Sequence, residues 1–329
     1  MALAPSPPFT DAAPPPSRGG LGLAQGRYGA RGNLELVLCD ERDGLWVLWH
    51  NTDPEGAATP EGAPPPGEWS GALRFAAGRR YDDVRVLQSR NGPDHLEVLA
   101  RSGTDPHRLR WSPEAAFTPE DPPPGRLGPH PTLTETADGA LWTALAPADG
   151  EPVRPHRADP AGYPRLTWSP AGPPVPPQPP RTVLLAAGPD ADRPATLAYS
   201  AEGARWTDPR GRSTELPGAA HAACAWGAHG PLVLLADGDA GLLAVRPRPL
   251  AARAGAEPPR PLPLPGTGTV TALAATPVRH DPGRTDLVLR RGGALWHLTD
   301  RGPGTEPVHR LLTSRLNRDP ADPAPVHRR

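Results

Sequence analysis

The stretch that decides the fold is NLELVLCDERDGLWVLWH, residues 33–50. Two apolar runs flank the dipeptide Asp43-Gly44, and Asp-Gly between apolar runs is a strong signal for a β-hairpin with a type I′ turn. Leucine and valine occupy both faces of the first run, whereas a strand with one face in water alternates apolar and polar residues. The hairpin is therefore predicted to lie between two covering layers.

Five further stretches repeat this arrangement of strand, glycine-containing turn and strand. They cover residues 91–111, 131–145, 195–207, 231–245 and 285–298. The repeat recurs about every 50 residues, and other strand-like runs flank most copies, which is the pattern of a four-stranded propeller blade. One position after the turn marks each copy, namely Trp46, Arg108, Trp142, Trp206, Leu243 and Trp296. Since no segment shows helical periodicity, the sequence predicts an all-β protein with a single β-propeller of six blades, with five and seven blades as alternatives.

Proline and glycine set the expected boundaries. The chain has 51 prolines and 36 glycines among 329 residues, enough to raise disorder as an interpretation. The prolines cluster between the strand-like runs, so ordered strands joined by Pro-rich loops are favoured. Residues 1–20 and 317–329 are predicted to be disordered tails, and residues 21–316 to form the propeller.

Composition excludes several classes of function. A net charge of −1 argues against a nucleic acid or an anionic membrane as partner. The chain has no lysine, which excludes P-loop and Schiff-base chemistry. Cys39 and Cys224 lie in apolar runs and are too few for a disulfide framework, so we expect two buried free thiols.

No motif indicates catalysis or a membrane-spanning segment. The sequence has neither an HExxH zinc motif nor a GxSxG nucleophile elbow. We therefore expect no metal, no cofactor and no enzyme activity, and a hydrolase or lyase propeller is the least favoured alternative. Because no secretory signal and no run of ~18 apolar residues is found, a cytoplasmic location is expected.

Three of the repeats resemble a known family. Residues 96–103, LEVLARSG, with Asn91, Gly92 and Asp94 before them, resemble the strand motif of the bacterial PLL-like (fucose-binding) propeller lectins. In that family a segment like N-x-D-G-R-L-E-V-F-A-R-G precedes a Leu-Trp-His-x-Trp strand. Residues 33–50 resemble both halves, and residues 292–297, GGALWH, resemble the second. The resemblance implies a non-catalytic, carbohydrate-binding (lectin-like) propeller with ligand pockets between blades.

Six residues in these three repeats are candidate ligand-binding residues. An indole stacks on the apolar face of a sugar and a carboxylate binds its hydroxyl groups, so we expect Trp49 to act with Glu35 and Trp111 to act with Glu97. The candidates are Trp49, Glu35, Trp111, Glu97, Trp296 and His297. The structural alternative is that the tryptophans pack between blades and each glutamate pairs with an arginine. A scaffold that binds a protein partner through its Pro-rich loops and one face is the alternative function.

Overall fold

The computed structural model describes residues 11–12, 14–59, 63–146, 151–175, 182–227, 229–238, 241–247, 258–281, 283–302, 304–312 and 314–315. These residues form six antiparallel sheets arranged as the blades of one propeller, together with a separate strand pair. The prediction of an all-β propeller with six blades is confirmed.

The first three blades follow one another along the chain. Before them lies β1 (Asp11–Ala12). Blade 1 contains β2 (Ser17–Gln25), β3 (Asn33–Asp40), β4 (Leu45–Asn51) and β5 (Leu73–Phe75). Blade 2 contains β6 (Asp83–Ser89), β7 (His95–Ser102), β8 (Asp105–Ser112) and β9 (Ala116–Glu120). Blade 3 contains β10 (Arg126–Leu127), β11 (Thr134–Glu135), β12 (Leu141–Ala146), β13 (Arg154–Ala158) and β14 (Trp168–Pro170).

The last three blades have four strands each. Blade 4 contains β15 (Thr182–Ala186), β16 (Ala195–Ser200), β17 (Gly203–Thr207) and β18 (Ser213–Leu216). Blade 5 contains β19 (His221–Gly227), β20 (Gly230–Ala236), β21 (Leu242–Val245) and β22 (Arg260–Leu262). Blade 6 contains β23 (Val270–Pro277), β24 (Thr285–Arg291), β25 (Ala294–Asp300) and β26 (Val308–Leu311), and β27 (Ser314–Arg315) follows.

The first strand of each blade lies innermost. Side chains and backbone from these strands, or from the segments that lead into them, surround a central cavity of about 90 Å³, and all six blades contribute to its wall. Cys224 lines this cavity and is only half-buried, whereas Cys39 is fully buried between blades. The expected burial is therefore confirmed for Cys39 and only partly met by Cys224.

Both faces of each blade pack against neighbouring blades. In β3 the side chains of Leu34, Leu36 and Leu38 pack against blade 6. Val37 and Cys39, on the other face of the same strand, pack against blade 2. Apolar residues on both faces of this hairpin predicted two covering layers, and the structure supplies them.

The turns and the third repeat differ from the sequence-based prediction. Only Gly44 of the Asp43-Gly44 pair has a positive φ, 78°, and the Asp40 carboxylate accepts hydrogen bonds from the backbone N–H groups of Arg42 and Asp43. The blade 1 hairpin is thus a longer loop capped by Asp40, and the type I′ prediction is wrong there. In the third repeat Trp142 lies on β12, the second strand of blade 3, whereas the other marked tryptophans lie on third strands.

Contacts between the two ends of the chain close the ring. The strands β1 and β27 pair antiparallel, with Asp11 opposite Arg315. Arg290 of blade 6 donates hydrogen bonds to the Gly19 carbonyl and to Ser17 Oγ in blade 1. The strand β2 begins at Ser17, before the predicted propeller boundary at residue 21, whereas residues 1–10 and 317–329 lie outside the described residues.

Helix is nearly absent from the described part of the chain. It contains one short 3-10 helix, Pro160–Gly162, and no helix there has the length and apolar character needed to cross a membrane.

Core and surface leucines should differ sharply in their contribution to stability. Leu234 of β20 is 0 % exposed, so Leu234→Ala should lower the free energy of unfolding by about 2–5 kcal/mol through lost burial and a residual cavity. Leu311 of β26 is 52 % exposed, so Leu311→Ala should change it by less than about 0.5 kcal/mol. Urea unfolding of the two variants measures both values, and equal costs would contradict the inward placement of β20.

Candidate functional site

The antiparallel order of the strands gives the ring two distinct faces. The first strand of every blade starts on one face and ends on the other. We call the second of these the exit face. The connections from first to second strand and from third to fourth strand both lie on the exit face, because successive strands reverse direction. In blade 1 and blade 2 the first of these connections are residues 26–32 and 90–94.

Three of the predicted site residues face one cleft. Glu35 of β3 lies directly opposite Trp49 of β4, so both side chains project from the face of blade 1 that packs against blade 2. Trp111 of β8 lies opposite Leu96, and both belong to the face of blade 2 that packs against blade 1. We call this space between the two blades cleft 1/2. All three residues lie toward the exit face. Glu35 is near the start of β3, and Trp49 and Trp111 are near the ends of β4 and β8.

Neighbouring polar groups hold the Glu35 carboxyl. Asn33 lies two residues earlier on the same strand face, and its Nδ2 donates a hydrogen bond to Glu35 Oε1. Burial raises the pKa of Glu35 to about 8, with repulsion from Asp94 of blade 2 acting in the same direction and the Asn33 hydrogen bond opposing both. Among the described residues no arginine or histidine forms an ion pair with Glu35. Glu35 is therefore predominantly protonated at neutral pH and can donate a hydrogen bond.

Aromatic groups form the adjoining wall of cleft 1/2. The Trp49 ring is half-buried and meets the Tyr28 ring edge to face, with centroids 5.2 Å apart. Tyr28 lies in the loop that leaves β2. Its neighbour Arg27 donates hydrogen bonds of 2.9 Å to the carbonyls of Gly92 and Pro93, next to Asp94. This contact holds the blade 2 loop against blade 1 beside cleft 1/2.

The Glu97 carboxylate faces the opposite side of blade 2 and is already occupied. Glu97 is 0 % exposed and accepts two hydrogen bonds from Arg108, of 2.8 and 3.0 Å. The hydroxyl group of Tyr163, from blade 3, donates a third of 2.8 Å. Burial raises the pKa of Glu97, and the charge of Arg108 opposes that rise. The expected joint site of Trp111 and Glu97 is wrong because the two side chains lie on different faces, and the Glu–Arg ion pair of the structural alternative is present.

His297 lies in the contact between blade 6 and blade 1, where it meets other side chains of the protein. Its Nε2 lies 3.2 Å from Asp286 Oδ1, and its ring meets the rings of His50 and Trp69 with centroids 5.0 and 5.5 Å apart. Trp69 reaches this position from the loop between β4 and β5. Burial alone would raise the pKa of Asp286, but the hydrogen bond from His297 and the charge of Arg284 outweigh it and hold the pKa at about 2.

Trp296 and His297 are adjacent on β25 and therefore point to opposite faces of blade 6. Trp296 packs with the apolar cluster that joins blade 5 to blade 6, and its ring lies 6.5 Å from that of His309. The predicted candidates thus divide among four different contacts between blades, and only Glu35, Trp49 and Trp111 share one.

The sequence analysis did not identify Asn33, Tyr163 or Trp69, the residues that contact the predicted candidates Glu35, Glu97 and His297. The pairing of Asn33 with Glu35 could have been found, because residues two apart in a strand share a face. Tyr163 and Trp69 carry no such signal, since each arrives from a long loop and Tyr163 contacts a glutamate 66 residues away.

Comparison with known proteins identifies the same fold. AofleA from Arthrobotrys oligospora superposes with a TM-score of 0.61 at 11% identity, over 91% of this chain and 90% of that chain. The lectin of Aleuria aurantia, described as a six-bladed β-propeller, gives 0.60 at 9% identity over 91% and 97% of the two chains. The BP39L lectin of Burkholderia pseudomallei gives 0.56 at 13% identity over 88% and 84%. No protein-family model and no curated protein matches this chain. At such identities the likeness establishes the six-bladed fold alone.

The buried His50 should make the protein less stable in acid. Burial lowers the pKa of His50 from 6.5 to about 3, with His297 acting in the same direction and Asp286 against it. The unfolded chain therefore binds a proton between pH 6.5 and 3 that the folded chain does not. Each pH unit of acidification in this window should cost up to about 1.4 kcal/mol at this one group.

Urea unfolding at pH 7, 6, 5 and 4 measures this dependence. The variant His50→Gln should lose less stability per pH unit than the wild type, whereas His309→Gln, at an exposed position of β26, should follow the wild type. Parallel pH profiles for wild type and His50→Gln would contradict a neutral, buried His50.

Proposed function

We propose that this chain is a non-catalytic, carbohydrate-binding propeller and that cleft 1/2 is its binding site. The observation that carries the proposal is the convergence of Glu35, Trp49 and Trp111 on one cleft, with a carboxyl group that no described cation neutralises. The other three candidates, Glu97, His297 and Trp296, already contact other side chains of the protein.

The chemistry of cleft 1/2 suits a sugar ring. An indole presents a broad apolar face to the C–H groups of a pyranose, and its N–H group is a hydrogen-bond donor. The protonated Glu35 can donate one hydrogen bond and accept another, and Asn33 already fixes the orientation of one of its oxygens. A site of this kind discriminates by hydroxyl geometry rather than by charge.

Similarity to known lectins is a second line of support for the proposal, independent of the geometry of cleft 1/2. One six-bladed structure of the same fold is described as having a novel fucose recognition mode, and others are described as lectins. The resemblance of residues 96–103 and 33–50 to the PLL-like propeller lectins points the same way. The fold therefore occurs in lectins, one of which is described by its recognition of fucose.

The number of usable clefts limits the expected affinity. Arg108 and Tyr163 occupy the carboxylate of the contact between blades 2 and 3. Trp69 and His297 fill the contact between blades 6 and 1. A single site lacks the gain in avidity that several sites on one ring provide, so we expect cleft 1/2 by itself to bind weakly.

A protein-binding scaffold is the alternative function, and one observation favours it. The exposed large apolar residues among the described ones lie on outermost strands of the adjacent blades 1 and 6, namely Leu73, Val308 and Leu311. Edge strands with apolar side chains are suited to pairing with another chain. Leu73 lies opposite Val47, on the face of blade 1 that also carries Trp49, whereas Val308 and Leu311 lie on blade 6. Variants of Val308 and Leu311 therefore separate the scaffold function from binding in cleft 1/2.

Substitution of Trp49 tests the carbohydrate proposal. A glycan array first identifies a ligand, and titration then compares the variants. We expect Trp49→Ala to weaken binding by about tenfold or more, because stacking contributes of the order of 1 kcal/mol beyond burial. The matched control Trp296→Ala removes an indole from another cleft and should leave the affinity unchanged.

Glu35 provides a second and sharper comparison. Glu35→Gln keeps a neutral group that donates and accepts hydrogen bonds and should bind nearly as well as the wild type at pH 7, whereas Glu35→Ala should not. Absence of any bound glycan would overturn the proposal. A fall of several kcal/mol in stability for Trp49→Ala, as for a core aromatic, would make Trp49 a packing residue and favour the scaffold.

A further inference from the structure

Three arginines from three blades meet where the central channel opens on the exit face. Arg27 follows the end of β2 by two residues, Arg90 follows β6 directly, and Arg279 follows the end of β23 by two residues. Because the first strands surround the channel, their ends define its mouth. All three arginines are exposed. We call Arg27, Arg90 and Arg279 the arginine mouth.

Backbone carbonyls, rather than carboxylates, hold these side chains in place. Arg27 Nη2 donates to the Ser89 carbonyl at 3.1 Å, in addition to its contacts with the blade 2 loop. Arg90 donates from both Nη atoms to the Pro189 carbonyl at 3.3 Å, and Arg279 Nη2 donates to the Gln25 carbonyl at 3.2 Å. Each contact reaches a different blade, so the guanidinium groups are fixed relative to one another.

The positive charge of the arginine mouth is incompletely neutralised. Within the part of the chain that the structure describes, no carboxylate forms an ion pair with Arg27 or Arg279, and Arg90 approaches Glu135 only to 3.9 Å. A guanidinium has five N–H donors, and these carbonyl contacts leave at least two of them on each arginine.

Two carboxyl groups face the arginine mouth, and one of them is already occupied. Glu135 accepts hydrogen bonds from Ser89 Oγ, the Arg90 backbone N–H and Asn91 Nδ2, and burial raises its pKa to about 7. Asp94 is the other. Burial lowers the pKa of Arg279, and the charges of Arg27 and Arg90 lower it further. Three cations therefore face two carboxyl groups, of which one is only partly ionised at neutral pH.

We propose that the arginine mouth binds an oxyanion of the sulfate or phosphate type. Planar guanidinium forks match the oxygens of such anions and form charge-assisted hydrogen bonds with them. The carbonyl contacts order the side chains before the anion arrives, so binding does not have to order them. The inference rests on the three arginines and does not require sugar binding, although Arg27 also holds the blade 2 loop beside cleft 1/2.

Calorimetric titration of the full chain with sodium sulfate tests the proposal, with sodium chloride at equal ionic strength as the reference. We expect saturable binding of sulfate, weakened by about tenfold or more in the double variant Arg27→Gln, Arg279→Gln. The matched control Arg205→Gln removes an exposed arginine of β17 that pairs with Glu215, and it should bind sulfate like the wild type.

Further ligands distinguish the source of the anion. Inorganic phosphate tests the preference between the two anions, and glucose 6-sulfate is compared with glucose. Tighter binding of glucose 6-sulfate than of inorganic sulfate would assign the anion to a saccharide, and equal binding would assign a free anion. Trp49→Ala should retain sulfate binding, so that failure in cleft 1/2 and failure at the arginine mouth are separate results.

Two outcomes would overturn the proposal. One is the absence of saturable sulfate and phosphate binding by the wild type, and the other is unchanged binding by the double variant. Should the double variant fail to fold, Arg279→Lys keeps the charge and removes the fork, and it should weaken sulfate binding with little change in melting temperature. Unchanged sulfate binding by a folded Arg279→Lys would equally contradict the proposal.

Discussion

Burial of both faces of each blade is the constraint on which the rest of the structure depends. A sheet that is apolar on both sides cannot be stable by itself in water, because each face needs a partner of similar character. One face of β3 packs against blade 6 through Leu34, Leu36 and Leu38, and its other face packs against blade 2 through Val37 and Cys39. A ring satisfies every blade only if it closes. The pairing of β1 with β27 and the Arg290 contacts to blade 1 secure that closure.

The same constraint determines what becomes of the polar groups between blades. Near the start of the second strand, three blades place a carboxyl group toward the following blade, namely Glu35, Glu97 and Asp286. A buried carboxylate needs a cation or several hydrogen-bond donors. Arg108 and Tyr163 supply them to Glu97, and Arg284, His297 and Thr299 supply them to Asp286. Within the described residues the Glu35 carboxyl has one side-chain partner, Asn33, and its raised pKa keeps it predominantly protonated. An uncharged polar group therefore lies opposite Trp49.

Arginine performs the bridging between blades throughout the chain. A sequence with no lysine has only this base for the purpose, and its fork can reach two carbonyls at once, whereas an ammonium group acts as a point charge. Arg85 reaches the Leu21 carbonyl, Arg108 the Pro164 carbonyl and Arg27 three carbonyls of blade 2. Arg85 and Arg108 also pair with carboxylates, whereas the carbonyl contacts of Arg27 position its charge without neutralising it. The arginine mouth is the place where Arg27 meets two further arginines.

The sequence by itself determined the repeated hairpin, the burial of its two faces and the count of six, because strand periodicity and turn residues are local properties. It could not determine which side chains share a cleft. In blades 1 and 2 a tryptophan follows a glutamate by the same 14 residues. The hairpin of blade 1 pairs Glu35 with Trp49, but that of blade 2 pairs Glu97 with Arg110, one residue short of Trp111. A shift of one residue in register moves a side chain to the other face of a strand. Turn geometry and the long loops that carry Tyr163 and Trp69 therefore decided which candidate positions were filled, and only the tertiary structure could show that Glu35 and Trp111 face the contact between blades 1 and 2 whereas Glu97 does not.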